Sequence, residues 1–414
     1  MKADMGRRYR LYPNRAQEQV LTRWGHAART LWNIALEQRT YVFEQRGSTL
    51  RSQEQSRYLT AARGESELAW LAELPAQAGQ QVLRHLDQAY DNFFNPALPS
   101  RFPAFKKRGT RLSVPLPGQA VKVRKTSGHW GQIRLPNLGW VSFRLSRTLG
   151  GTIRNATVSR DGTGWHIAFG IHTGRTPGAP NSKPGCGVDF GVATSAYVST
   201  ETEPRVMAPT LTKVELTRLK YLEQQKGRQV AYAKKHNGGM YSTRLRATIA
   251  QIARIKARQS NRRADFTHKL TTGLAKNHGF VGIEDLRVTS MTSSARGTAD
   301  RPGRNIRQKA GLNRGILDNC PGERRRQLSY KCEIYGSDLR PVPPFHTSQT
   351  CAKCGRADPE SRPGCGRSFT CVNCGHEDDA DHNASVEIEA RARGTGGSVT
   401  NSTRRRPTAP SPVS

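Results

Sequence analysis

Cys351 with Cys354 and Cys371 with Cys374 form two C-x-x-C-G knuckles. Four thiolates at that spacing can close a tetrahedron around one Zn²⁺. Because four cysteine ligands leave no open coordination position, such a zinc is structural and not catalytic. A redox dithiol would need only one such pair. Cys365 lies between the knuckles at a spacing that fits neither pair, and it leaves ligand exchange among the thiolates open.

Three carboxylates carry the second possible chemistry. Asp189 interrupts GCGVDFGVATSAYVS, a glycine-flanked apolar run that reads as a buried strand and hairpin. Glu284 ends GFVGIEDL, a short apolar strand, and Asp381 stands just ahead of 384–393, which reads as a helix. Each has a plainer reading: a satisfied core acid for the first two, a helix N-cap for the third. Taken together they ask for a cation, since burying a bare carboxylate is costly unless it is paired or binds metal. Asp, Glu and Asp in that order, with a long helical insert between the first two, is the layout of an RNase H-like (RuvC-type) nuclease. In that arrangement Asp189, Glu284 and Asp381 would hold two Mg²⁺ and hydrolyse a phosphodiester without a covalent nucleophile.

The elements that must position these groups follow along the chain. Arg7 to Leu11 reads as a strand stopped by Pro13, and Asn14 with Gln17 fits a capping box for a helix that buries Val20, Trp24, Ala27, Ala28 and Leu31. A further helix over 76–94 has Val82, Leu86, Ala89, Tyr90 and Phe93 as its apolar stripe, with Gln81 and Arg84 on the polar side. Phe105 precedes Lys106, Lys107 and Arg108, a cluster suited to a phosphate backbone or to a basic turn. From 113 to 171 alternation predicts strands, with Asp161-Gly162 as a turn, and with the first strand these form a small β-barrel.

A Pro- and Gly-rich stretch from Thr173 to Gly185 reads as a linker. Two basic helices, 211–233 and 241–269, then form a hairpin broken at His236-Asn237-Gly238-Gly239, expected to pack on the sheet that carries the acids. The segment 287–314 is basic and poor in apolar residues, so no fixed structure is expected without a ligand. The tail after Arg393 reads as disordered.

The chain has 414 residues and 66 Lys and Arg against 32 Asp and Glu, a net charge of +34. That excess predicts a polyanion partner, because neutralising phosphates releases counterions. No apolar run approaches the roughly 20 residues of a membrane span, and no signal-peptide core follows the N-terminal MKADMGRRYRLYP. A cytoplasmic protein without membrane partners is expected.

GVDFG, VGIEDL, the LSYK stretch at Leu328 to Lys331, TSQTCAKCG and the CVNCG to D-x-N-A run resemble the TnpB family of transposon-encoded RNA-guided endonucleases, relatives of type V CRISPR effectors. RLYPNRAQEQ, NFFNP with FKKRG, LPNLG and GGTIRNATVSRDGTGWHIAF extend the likeness over nearly the whole chain up to Arg393. The resemblance implies an α+β multidomain fold. Residues 1–14 give the first strand of a wedge β-barrel and 15–110 a helical recognition lobe inserted in it. Residues 111–172 complete the barrel and 173–185 link it onward. The RuvC-like domain takes 186–345 and 379–393, the zinc ribbon 346–378, and the basic tail 394–414.

It also implies one chain per guide RNA and a double-stranded DNA target. Gln81 and Arg84 would read a short flanking motif, and Lys106, Lys107 and Arg108 would hold backbone. The competing function is a nuclease-inactive RNA-guided repressor, which would have lost one or more of the acids.

Overall fold

The computed structural model describes residues 5–98, 100–109, 111–298, 301–364 and 366–394. The chain divides into two compact units, 1–174 with 211–259, and 175–210 with 260–414.

The first unit opens on β1 (Met5–Tyr12), with Tyr9 and Leu11 buried and the alternate Arg8 and Arg10 turned outward. Helix α1 (Arg15–Arg46) starts as predicted: the Asn14 side chain accepts from the Gln17 N–H at 2.9 Å, and Gln17 accepts from the Asn14 N–H at 3.1 Å. Short helices α2 (Ser52–Ala62) and α3 (Ala69–Glu73) lead to α4 (Ala76–Phe94), which has the predicted bounds. Trp24, Ala27, Ala28 and Leu31 of α1 meet Val82, Leu83 and Leu86 of α4 in one apolar cluster. Phe93, expected in that stripe, lies at its rim and is 36% exposed.

The strands follow: β2 (Leu112–Pro117), β3 (Lys122–Lys125), β4 (Trp130–Leu135), β5 (Gly139–Arg144), β6 (Thr152–Asp161) and β7 (Gly164–His172). Their order in the sheet is β2-β6-β7-β1-β5-β4-β3. Thus β1, which precedes the helices in sequence, pairs with β7 and β5, which follow them, so the helices are an insertion within the sheet. Tyr9, Phe143 and Phe169 stack the two halves together, with ring centroids 5.5 to 5.9 Å apart.

The basic hairpin is α5 (Lys213–His236) and α6 (Thr243–Asn277). Leu219 and Leu222 pack on Ile252 and Ile255. Its placement differs from expectation: 211–259 belong to the first unit. The β6–β7 turn seats the α6 backbone so closely that a Cβ on Gly162 would lie 2.2 Å from the Ala253 carbonyl oxygen. The contact is backbone against backbone, which an apolar-periodicity argument does not see. From Ser260 onward α6 serves the second unit.

In the second unit the stretch read as a linker is tied down, because Gly178 and Asn181 N–H groups donate to the Glu333 and Gly336 carbonyls. Strands β8 (Cys186–Asp189), β9 (Tyr197–Val198), β10 (Phe280–Glu284) and β11 (Asp338–Val342) form a sheet in the order β11-β10-β8-β9. The first three are parallel, and β9 returns antiparallel on β8. The segment expected to lack fixed structure instead contains α7 (Val288–Met291) and most of α8 (Ile306–Asp318). Lys309 and Asn313 of α8 donate to the Met291 and Thr292 carbonyls, so polar bonds replace the missing apolar burial.

Helix α9 (Pro321–Tyr335) contributes Leu328 to the core. The chain closes with β12 (Ser368–Thr370), β13 (Glu377–Asp379) and α10 (Ala380–Arg393). The tail after Gly394 and Cys365 lie outside the described residues. Among the described residues no helix is long and apolar enough to cross a membrane.

Candidate active site and metal centre

The parallel register pairs Val281 with Cys186, Gly282 with Gly187 and Ile283 with Val188. The next residue of each strand is an acid, so Asp189 and Glu284 end neighbouring strands side by side. The third acid arrives on α10, which lies directly across both strands. A Cβ on Gly187 would fall 2.1 Å from the Ser385 carbonyl oxygen, and one on Gly282 2.8 Å from the Ala392 Cβ. The glycines of GVD and GIE are therefore the space that lets α10 bring its N-terminus to the acids.

Helix α10 begins at Ala380, four residues before the predicted start. Its N-cap is Asp379, whose carboxylate accepts from the Asp381 N–H at 2.9 Å and the His382 N–H at 3.3 Å. The capping reading therefore belongs to Asp379, and the Asp381 side chain is free of that duty.

Electrostatics tie the acids together. Burial, then the charges of Glu284 and Asp381, push the Asp189 carboxyl up to about 8. Among the described residues no hydrogen-bond donor reaches Asp189. Burial also raises Glu284, against a hydrogen bond from the Thr347 hydroxyl and the charge of Arg391. Asp381 faces the Arg362 guanidinium at 3.5 Å, with both side chains mostly buried. A half-buried carboxylate without a donor, beside two more hard oxygen ligands, fits the donor set of Mg²⁺. The three acids are not drawn onto one point, and a pair of ions about 3.5 to 4 Å apart does not require that.

The four cysteines form a tighter cluster, with all four Sγ atoms within 4.8 Å of one another. Cys351 and Cys374 are 3.7 Å apart and Cys354 and Cys371 3.6 Å. A tetrahedron with Zn–S near 2.3 Å puts its sulfurs about 3.8 Å apart, so the set fits one structural Zn²⁺. The two knuckles repeat one geometry: Gly355 and Gly375 N–H groups donate back to the Cys351 and Cys371 carbonyls at 2.8 and 2.9 Å.

Asn383, fully buried on α10, joins the two centres. It donates to the Thr350 carbonyl at 2.8 Å and accepts from the Ala352 N–H at 2.9 Å, which fastens the first knuckle to the helix that carries Asp381. Sequence reasoning quoted the D-x-N-A run and gave Asn383 no role; its place two residues after an acid and beside a helix start was the available signal. Thr347, Arg362, Asp379 and Arg391 were missed too, since none stands in an unusual sequence context. Of the other predicted residues, Gln81 is half-buried and Arg84 exposed on α4, and Lys106, Lys107 and Arg108 lie exposed in the loop after it.

Three family models match: "Helix-turn-helix domain" over residues 1–48, "Probable transposase" over 169–295, and "Cas12f1-like, TNB domain" over 322–388. The chain is 35% identical over 392 residues to "Putative RNA-guided DNA endonuclease InsQ" of Escherichia coli K12, covering 94% of this chain and 92% of that one. It is 32% identical over 392 residues to a Streptomyces pristinaespiralis protein of the same designation, covering 92% and 88%. Among solved structures its fold is similar to the protein in a Cas12f1–sgRNA–target DNA complex, with a TM-score of 0.51 and 14% identity, over 91% of this chain and 83% of that one.

Proposed function

Since the chain belongs to the TnpB family, we propose that it is an RNA-guided DNA endonuclease whose phosphodiester chemistry is centred on Asp189, Glu284 and Asp381. The observation that carries this reading is geometric: Asp189 and Glu284 end neighbouring parallel strands, and α10, laid across both over Gly187 and Gly282, carries Asp381 in its first turn, an arrangement in which burial and the two other acids push the Asp189 carboxyl up. A fold keeps so unfavourable a group where a cation is meant to arrive. Mg²⁺ bound there would supply Lewis acidity and a water of lowered pKa. Thr347 orients Glu284 through its hydroxyl, and Arg362 holds Asp381 in place and offsets part of the local negative charge.

The domain assignment follows the same premise. The sheet with β8 and β10, together with α10, is the RuvC-like domain, and the cysteine cluster is its structural zinc ribbon. The seven-stranded sheet is the wedge, and α1 to α4 are the recognition lobe. On α4, Gln81 and Arg84 would read the flanking motif, and Lys106, Lys107 and Arg108 would hold backbone.

The outer face of the wedge supports a nucleic-acid partner. Arg10 lies over Tyr12, Arg144 over Trp130 and Arg124 over Trp140, with ring distances of 5.9, 5.3 and 4.2 Å. Alternating guanidinium and aromatic groups suit a polyanion with stackable bases. All three acids are present, which favours the nuclease over the inactive repressor.

The test is co-expression with the flanking DNA, sequencing of the RNA that co-purifies, and assay of plasmids bearing the matching target. Cutting with Mg²⁺ and none with EDTA is expected. Binding of the matched target without cutting at any Mg²⁺ concentration would favour the repressor.

A further inference from the structure

Three arginines of the helical lobe have a carboxylate partner. Arg23 pairs with Glu73 at 2.5 Å, Arg39 with Asp87 at 2.7 Å and Arg51 with Asp91 at 2.8 Å. One pocket gathers several cations with no such partner. It lies between α1, α4 and the loop that follows α4, and Arg29, Trp32, His85, Lys106, Lys107 and Arg111 line it without any acid among its lining residues. Among the described residues, none of its Arg and Lys side chains forms an ion pair.

The pocket is built and not simply a basic surface. The Trp32 indole donates to the Ala104 carbonyl at 3.1 Å. Asn33 clamps Lys106 from both sides, donating to its carbonyl at 3.1 Å and accepting from its N–H at 2.8 Å. The loop is thereby fixed on α1, and the Lys106 ammonium sits 3.7 Å from the centre of the Trp32 ring. Arg29 donates to the Thr30 hydroxyl at 3.0 Å and to the Lys106 carbonyl at 3.5 Å, while among the described residues its buried Nε has no hydrogen-bond partner. Burial first, and then the charge of Lys106, push the pocket's His85 down. An orphaned guanidinium donor in a fixed, acid-free pocket calls for an anion.

We propose that this pocket is a socket for a single backbone phosphate of the bound nucleic acid, gripped by Arg29 from α1 and by Lys106, Lys107 and Arg111 from the loop. The proposal rests on the nucleic-acid reading above and adds the site, the ligand group and its stoichiometry. The socket sets the register of the polymer on the lobe, so a neighbouring side chain can then be aimed at bases.

The full chain is titrated with short duplex DNA and, separately, with single-stranded RNA at several salt concentrations. Arg29→Gln, Lys107→Gln and the double variant are compared with a control carrying Lys256→Gln and Lys269→Gln, two lysines already paired with Glu223 and Asp265. Cations that share one phosphate are redundant, so each single variant keeps most of the salt dependence. The double variant, which removes half of the socket's four cations and one from each wall, loses up to one phosphate's worth of slope, about 0.9 on duplex or about 0.7 on a single strand. The polymer on which that loss appears is the one that fills the socket, and the control does not change.

A loss of twice that size would mean independent surface charges, and no loss on either polymer would mean an empty socket; each overturns the proposal. Thermal unfolding checks each variant. If Arg29→Gln perturbs α1, the exposed pair Lys107→Gln with Arg111→Gln carries the same test. A chain that shows the slope change but cuts no guided target loses the nuclease reading and keeps the socket. A chain that cuts with an unchanged slope in the double variant loses only the socket.

Discussion

The two acid-and-thiol centres of the second unit sit on the same helix start and are built on opposite principles. The cysteines come from 24 consecutive residues, 351 to 374, and their sulfurs already stand at tetrahedral spacing. The carboxylates come from two strands and a helix that span 189 to 381. They repel one another, and among the described residues nothing donates a hydrogen bond to the most burdened of them. A closed, locally encoded site stabilises a fold, and an open, globally assembled one is kept for reactivity.

The largest effect that would sharpen the contrast is loss of chemistry without loss of binding. Asp189→Ala or Glu284→Ala should bring plasmid cutting below detection while guided target binding stays within about tenfold, because in the proposed chemistry these groups serve metal and not affinity. Binding lost in parallel with cutting would put the carboxylates among the structural groups. Cys371→Ser should do the reverse and lose zinc, thermal stability and soluble yield together, since structural zinc contributes directly to folding. A zinc-free variant with unchanged melting would break the comparison from the other side.

A smaller effect is expected where the two centres touch. Asn383→Ala leaves the Thr350 carbonyl and Ala352 N–H without partners and should cost about 1 to 3 kcal/mol of stability. Zinc content should stay near one per chain, while cutting falls more than target binding, because the ribbon can still close but no longer holds α10 in register. Equal loss of zinc would make Asn383 part of the ribbon's own fold.

The difference between the centres also governs what could be read from the sequence. Two C-x-x-C-G knuckles declare a metal site by spacing alone. The acids were legible because each sat where an apolar strand or a helix start made a carboxylate costly. Helix α4, the Asn14 capping box and the β6–β7 turn were legible through local periodicity and turn chemistry. What escaped was long-range backbone approach: Gly187 and Gly282 under α10, and Gly162 under α6, where the deciding contact is made by an absent side chain. The polar partners Thr347, Arg362 and Arg391 escaped for a related reason, since their sequence neighbourhoods look like any surface loop or helix end. The basic segment around α8 was misjudged because side-chain bonds to carbonyls, and not apolar burial, give it structure.

A last predicted effect isolates the acid centre by pH. The Asp189 carboxyl has an ordinary value of 3.8 and is raised to about 8 in the folded protein, first by burial and then by Glu284 and Asp381. Between those values the native state binds more protons than the unfolded chain, so stability must fall as pH rises from about 4 to about 8 and level off above. Glu323 works the other way. Arg326 above all holds it at about 2, so its contribution is present above 4.5 and is lost only as pH falls toward 2. The two windows overlap only between 3.8 and 4.5. In magnesium-free buffer, wild type and Asp189→Asn should therefore melt closest together near pH 4 and diverge toward pH 8, the variant being the more stable. Added Mg²⁺ should close that gap by raising the wild type alone. Parallel melting curves over this range would mean that Asp189 carries no such burden, and the acid centre would then be as satisfied as the ribbon beside it.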